Sequence, residues 1–363
     1  MIVELWMQGV RNLAECQLEP GLGLNVIVGP NGSGKTSILE AFHILGLGRS
    51  FRTNRLGRVV CADRAGFSIA GDLMDSHHER SRVGVEWSGE RRSRLNGQWL
   101  DGHWEIARRL PILAVHADSF ASLVGPPEER RRLLDWGGFH LHKDFPTEWK
   151  TWRRAHEQRN AALRNHEEAS AKRFEFLAAK SGERLSEMRA RFVASLEESL
   201  RHPTLRDLKS GLNGEIQIRF RQGWPESETL AEAYGRSRVS DLERGFGQTG
   251  PQKADLEIRV GERSIRDMSR GEQKRVLNAL VVSQGNVLES RAPGETSPIL
   301  LLDDAVAEMD EPGLAGIMNI VKGSGWQCLV TTVDCDWALH IATTRDDSRV
   351  FHVKHGVVTV AKQ

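Results

Sequence analysis

Two stretches decide the fold: Gly29-Pro30-Asn31-Gly32-Ser33-Gly34-Lys35-Thr36, and far downstream Ile299-Leu300-Leu301-Leu302-Asp303-Asp304. The first satisfies G-x-x-x-x-G-K-[ST]. It sits between the apolar run Leu24 to Val28, read as a buried strand, and a segment in which Ile38, Leu39, Phe42 and Leu45 recur at helical spacing until Gly46 and Gly48 end it. Strand, glycine loop, helix is the context that a phosphate-binding loop requires. Glycines let backbone N–H groups turn inward around phosphates, and the helix N-terminus adds its dipole. The lysine reaches the β and γ phosphates of ATP, and the threonine hydroxyl ligates Mg²⁺. The candidate ATP-binding residues are therefore Gly29, Pro30, Asn31, Gly32, Ser33, Gly34, Lys35 and Thr36, with Lys35 also catalytic and Thr36 a metal ligand.

The second stretch is an unbroken apolar run ending in two acids, the pattern of a parallel strand buried on both faces. An acid at the end of such a strand reaches the same metal, so Asp303 is the second candidate Mg²⁺ ligand. Asp304 is placed to polarise the attacking water and is the candidate catalytic base.

Between these stretches lies Met268-Ser269-Arg270-Gly271-Glu272-Gln273, opening a helix. On its own the string is an ordinary helix start with an acid in the first turn. Its S-x-G-x-Q shape and its place between the Walker A and Walker B stretches resemble the signature of ABC and SMC ATPases. There the serine and the glycine N–H groups clamp the γ-phosphate held by the other subunit. That resemblance assigns Ser269, Gly271 and Glu272 to a signature acting in trans.

Outward from these motifs, alternation between about Gly66 and Asn96 predicts an antiparallel sheet. From about Pro127 to His202 charged residues dominate. Trp149, Trp152, Leu163, Phe174, Leu177, Leu185, Met188, Phe192, Leu196 and Leu200 recur there at three- and four-residue steps, which predicts an all-helical insert too short for a long coiled-coil rod. Strand and loop signals return after Pro203, including Glu215 to Arg221 and ADLEIRV. The expected architecture is an α/β P-loop NTPase head of the ABC/SMC type with an inserted helical lobe. Residues 1–120 form the N-terminal part of the head, 121–245 the lobe, and 246–363 the C-terminal part with signature and Walker B.

Further strings narrow the resemblance. LWMQGVRNL at the start, LGLGRSFRTNR after the Walker A helix, PPEERRRLLDW, WKTWRRAHEQRNAALR, TGPQKADL and DDAVAEMD together span nearly the whole chain and resemble the RecF family. The resemblance implies an ATP-induced homodimer that hydrolyses ATP slowly and binds single- and double-stranded DNA without sequence preference. It also implies cooperation with RecR-like and RecO-like mediators to place a RecA-like recombinase at gaps, and assigns Asp310 as the D-loop acid. HADSF at 116–120 replaces the family's S-P-E-D-L, and Gln252-Lys253 replaces its His-Arg. Thr331-Thr332 stands where transporters carry a switch histidine, as in the family. A transporter subunit and a purely structural SMC-like head are the competing readings; the threonine pair argues against the first and the short insert against the second.

Composition is neutral on partners. The 363 residues carry a formal net charge of +1, so any DNA site is a local patch. Arg49, Arg52, Arg55 and Arg58 recur every three residues, while Arg91, Arg92 and Arg94 sit in a hairpin-like segment. These are the candidate DNA contacts, with Arg130 to Arg132 a further basic group and Trp87, Trp99 and Trp104 secondary stacking candidates. The four scattered cysteines form no C-x-x-C pair, which argues against a zinc site or disulfide framework. No long apolar run appears, so a cytoplasmic protein free of membrane segments is expected.

Overall fold

The Walker A helix, Lys35–Leu47, is buried on all sides rather than along one face, because it lies between two sheets and touches strands of both. Its C-terminus differs from the sequence reading. Gly46 lies inside the helix, where a Cβ would collide with the Ile112 side chain, so its role is close packing. Gly48 alone ends the helix, at φ 66°, donating its N–H to Ile44 O.

The computed structural model describes residues 1–291, 297–343 and 348–361. The chain divides into two compact units: residues 1–119, 203–210 and 274–363, and residues 120–202 and 211–273. The first unit holds two six-stranded sheets. One runs in the order Val357–Val360, Arg349–Lys354, Leu24–Val28, Gln327–Thr332, Ile299–Leu302, Ile112–Val115, and is parallel apart from its Val357–Val360 edge. Leu24–Val28, Ile299–Leu302 and Gln327–Thr332 are buried at every residue because helices and sheet cover both faces. The other is antiparallel, in the order Leu13–Leu18, Ile2–Val10, Phe67–Met74, Arg80–Trp87, Arg91–Leu95, Gln98–Trp99. Alternation buries Phe67, Ile69 and Leu73 with Ile38, Phe42 and Leu45 of the helix in one continuous core.

The parallel sheet aligns the ends of its strands. Leu24–Val28 enters the phosphate loop, Ile299–Leu302 ends at Asp303, and Gln327–Thr332 lies hydrogen-bonded between them. Loops at the carboxyl ends of parallel strands are where an α/β sheet presents a site.

In the second unit, helices Pro127–Leu141, Phe145–Arg164 and Glu168–Leu200 form the expected helical segment. A fourth, Leu230–Arg244, was not anticipated, although its start carries a capping box: Thr229 accepts from Glu232 N–H and Glu232 accepts from Thr229 N–H. A small antiparallel sheet, Arg263–Ser264, Asp255–Val260 and Ile216–Arg221, completes the unit.

Buried arginines organise its interior. Arg159 is fully buried and donates to Glu175 and Asp241, with its guanidinium 4.6 Å from the Tyr234 ring centroid. Arg130, considered above among phosphate-facing residues, is instead buried and forks onto Asp255 at 2.6 and 2.9 Å, donating also to Leu123 O and Gly125 O. Arg131 is drawn to Ala254 O and Glu128, and Arg132 to Glu129. A desolvated guanidinium requires such partners, so Arg130 serves the fold.

Two buried histidines make stability pH-dependent. His103 Nε2 lies 3.0 Å from Gly46 O and therefore carries the proton, while its Nδ1 accepts from the Ser93 hydroxyl at 3.0 Å. Burial pushes its pKa down to about 4 and that of His43 to about 3. Both stay neutral in the folded state but charge near pH 6.5 when unfolded. Their stabilisation is complete above that pH and is lost as pH falls toward the folded values, at up to about 1.4 kcal/mol per pH unit for each. The unfolding temperature should drop between pH 7 and 5. His103→Gln, which keeps an N–H for Gly46, should flatten that drop; an unchanged slope would show that His103 is not the titrating group.

Candidate functional site

The glycine loop needs backbone conformations that other residues resist. Gly32 has φ 76° and Gly34 φ 118°, and a Cβ on Gly34 would sit 2.8 Å from Leu13 Cδ2. Asn12, in the Arg-Asn turn, braces the loop: its Nδ2 donates to Gly32 O at 3.0 Å, and its Oδ1 accepts from Ser37 at 2.9 Å. Arg11 alongside forks onto the fully buried Glu40 of the Walker A helix at 2.8 Å. Sequence reading missed Arg11, Asn12 and Glu40 as parts of the site; an acid inside an otherwise apolar helix was the available signal.

Lys35 lies over the loop and donates to Gly29 O at 2.7 Å and Pro30 O at 3.1 Å. Burial lowers its pKa, opposed by the Asp304 and Asp303 carboxylates. The Thr36 hydroxyl donates to Asp303 Oδ1 at 2.9 Å, joining residues 267 positions apart. Asp303 N–H is fixed by Val115 O at 2.9 Å. Asp304 has a left-handed backbone, φ 49° and ψ 46°, and among the described residues its buried Oδ1 has no hydrogen-bond partner. The Ser33 hydroxyl is likewise buried and unpartnered. Asn31, Gly32, Lys35, Thr36 and Asp304 share one cavity of about 660 Å³ with Arg11, Asn12, Cys61 and Thr331. A cavity lined by Lys35, Arg11 and Arg52, by loop backbone and by the unpartnered Asp304 oxygen suits a phosphate and its counter-ion.

Of the arginines, Arg52 also lines this cavity, 3.6 Å from Glu40. The three-residue spacing does not place Arg49, Arg52, Arg55 and Arg58 on one helix, because Ser50 Oγ accepts the N–H groups of Arg52 and Thr53 and curls the chain. Only the single turn Leu56–Val59 is helical, and Arg55 and Arg58 are exposed beside it. On the strand Arg91–Leu95, Arg91 turns to Gly48 O at 2.7 Å, while Arg92 and Arg94 share the opposite face. Their guanidiniums lie 4.0 and 6.0 Å from the Trp99 ring centroid.

The structure therefore brings Gly29 to Thr36, Asp303 and Asp304 together. Asp310 caps the helix Glu311–Gly323 and pairs with Arg275 at 2.5 Å.

The signature lies in the second unit. Ser269 N–H donates to Glu272 Oε2 at 2.9 Å and Ser269 Oγ accepts from Glu272 N–H at 3.3 Å, a capping box on the helix Arg270–Arg291. The neighbouring Arg263 and these bonds hold the Glu272 carboxyl down to about 2. Gln273 is buried, donating to Ile265 O and Met268 O. Gly271 is different: a Cβ there would meet nothing within 4 Å, and its φ is not positive. Among the described residues nothing requires glycine at 271.

The RecF/RecN/SMC N-terminal domain model matches residues 1–359. The DNA replication and repair protein RecF of Shewanella piezotolerans is 35% identical over 362 residues, covering 98% of each chain, and that of Chromohalobacter salexigens is 34% identical, covering 96% of each. The chain belongs to the RecF family. Among solved structures, the recombination mediator protein RecF with ATP, in the RecFOR pathway, superposes with a TM-score of 0.85 at 22% identity, covering 99% of this chain and 97% of that one. An Smc head bound to the C-winged helix domain of ScpA gives 0.59 at 16%, covering 99% and 96%. These likenesses establish the RecF-type ABC/SMC ATPase head as the fold. Among the described residues no helix is long and apolar enough to cross a membrane.

Proposed function

We propose that the chain is an ATP-dependent DNA-binding repair protein whose ATP-induced homodimer clamps DNA at gaps or single-strand/double-strand junctions. It helps RecR-like and RecO-like mediators load a RecA-like recombinase in the cytoplasm, in support of recombinational repair, replication and the SOS response. The observation carrying the dimer is Gly271. A helical glycine costs about 1 kcal/mol against alanine, and no neighbour among the described residues demands one, so the open space at Gly271 is suited to a group arriving from a second copy.

In this reading the Gly29 to Thr36 loop cradles the triphosphate and Lys35 neutralises its terminal phosphates. The Thr36 hydroxyl and the Asp303 carboxylate are hard oxygen donors that would hold Mg²⁺, which would supply positive charge to offset that of the phosphates. Asp304, with its free oxygen in the cavity, orients the attacking water and takes its proton. Ser269 and Gly271 of the other protomer close over the γ-phosphate, with Asp310 at the closing interface. Catalysis that waits for closure is slow and second-order in protein, so the rate per protomer should rise with concentration. The related protein's association with ATP and the RecFOR pathway supports this reading.

DNA contact is assigned to arginines, the exposed Arg55 and Arg58 or the pair Arg92 and Arg94, acting on phosphates without reading bases. Fluorescence anisotropy with a gapped duplex should show at least about tenfold tighter binding with ATP than with ADP. Alanine at the pair that meets DNA should lower the salt slope by about one for each lost contact. Equal affinity with both nucleotides would refute the clamp. If neither pair changes the slope, both are eliminated as the DNA surface.

A further inference from the structure

A polar side chain buried at the end of a parallel strand must find partners, and Thr331 uses its hydroxyl twice. It is 0% exposed and is the last residue but one of the strand Gln327–Thr332. Since Leu302 pairs with Val330, Thr331 stands level with Asp303 on the neighbouring strand. Its Oγ1 donates to Asp303 Oδ1 at 2.8 Å and accepts the Asp304 N–H at 2.7 Å. Asp303 Oδ1 thus receives two hydroxyls, from Thr36 and Thr331. The left-handed backbone of Asp304 is a conformation that persists outside glycine only when neighbours enforce it, and the Thr331 bond to its N–H is such a restraint.

We propose that Thr331 is a positioning residue for ATP hydrolysis: one hydroxyl orients the Asp303 carboxylate and pins the Asp304 backbone, keeping both acids presented to the phosphate cavity. The inference rests on that cavity being the ATP site. It differs from the use of a side chain that reaches a phosphate directly, because the single Thr331 proton is already committed to Asp303. β-Branching supports the role, since a stiff χ1 holds the oxygen between its partners.

The test compares the full chain with Thr331→Val, which keeps the shape and removes the hydroxyl, and with Thr331→Ser, which restores it. Steady-state hydrolysis is measured together with binding of a fluorescent ATP analogue, with and without magnesium chloride. Removing an outer hydrogen-bond partner of a metal ligand lowers metal affinity or activity by about 10- to 100-fold. Thr331→Val should therefore lose about that much in kcat and part of the magnesium-dependent gain in affinity, while its magnesium-free affinity stays within about threefold of wild type. Thr331→Ser should recover most of both, with folding controlled by thermal unfolding. A Thr331→Val protein that keeps its kcat and magnesium response, or a Thr331→Ser protein as impaired as Thr331→Val, overturns the inference by reducing Thr331 to packing. A wild-type chain that binds no ATP overturns the site itself, and the inference with it.

Discussion

Asp304→Asn should slow ATP hydrolysis by at least about 100-fold while leaving ATP binding and ATP-dependent association intact. General-base contributions are typically about 10² to 10⁴, and an amide cannot accept the proton that a carboxylate takes. The substitution is otherwise conservative. Asparagine adopts the left-handed conformation seen at φ 49° about as readily as aspartate, and the N–H donated to Thr331 is retained. The expected product is a dimer that forms with ATP and does not come apart, which phosphate release and light scattering read separately. Hydrolysis within tenfold of wild type would remove Asp304 from the chemistry.

Lys35→Ala acts one step earlier. Among the described residues the ammonium group bonds only loop carbonyls, Gly29 O and Pro30 O, so a triphosphate can take it over without breaking a buried ion pair. Removing it deletes charge-assisted hydrogen bonds worth about 1.5–3 kcal/mol each. It also removes the cation whose charge balances Asp303 and Asp304. ATP affinity should fall about 100-fold or more, with DNA retention lost alongside. Alanine continues the helix well, so the fold is preserved. Calorimetry showing affinity within about threefold of wild type would mean that the cavity holds something other than a triphosphate.

The motifs that set the site were legible because their chemistry depends on short, fixed spacings. The glycine loop, the apolar strand before Asp303 and the helix start at Arg270 could be placed from local pattern alone. Thr331 could not, because its meaning lies in a bond to Asp303 across 28 positions, and a threonine in an apolar strand reads as an ordinary β-former. The arginines misled in the same way. Equal spacing suggested one surface, but the Ser50 hydroxyl bends the chain and turns Arg52 into the cavity.

In the helix Glu168–Leu200, choosing the large apolar residues pointed to Leu177, which is exposed. Around it the packed face is Glu175, Ala178, Ala179 and Gly182, while further along Leu185, Phe192, Leu196 and Leu200 are buried as their spacing predicts. Small residues let helices approach closely. Glu175 is tolerated there because Arg159 and Arg238 neutralise it, a pairing no periodicity encodes.

Light scattering of the wild-type chain tests the ATP-gated dimer most directly, run without nucleotide, with ADP and with ATP plus magnesium at one protein concentration. The mass should stay at the 40.7 kDa of a single chain in the first two conditions and double with ATP. An ATP-bound chain that keeps the single-chain mass across the range where hydrolysis is measurable would contradict the assignment of Ser269 and Gly271 to a neighbour's γ-phosphate.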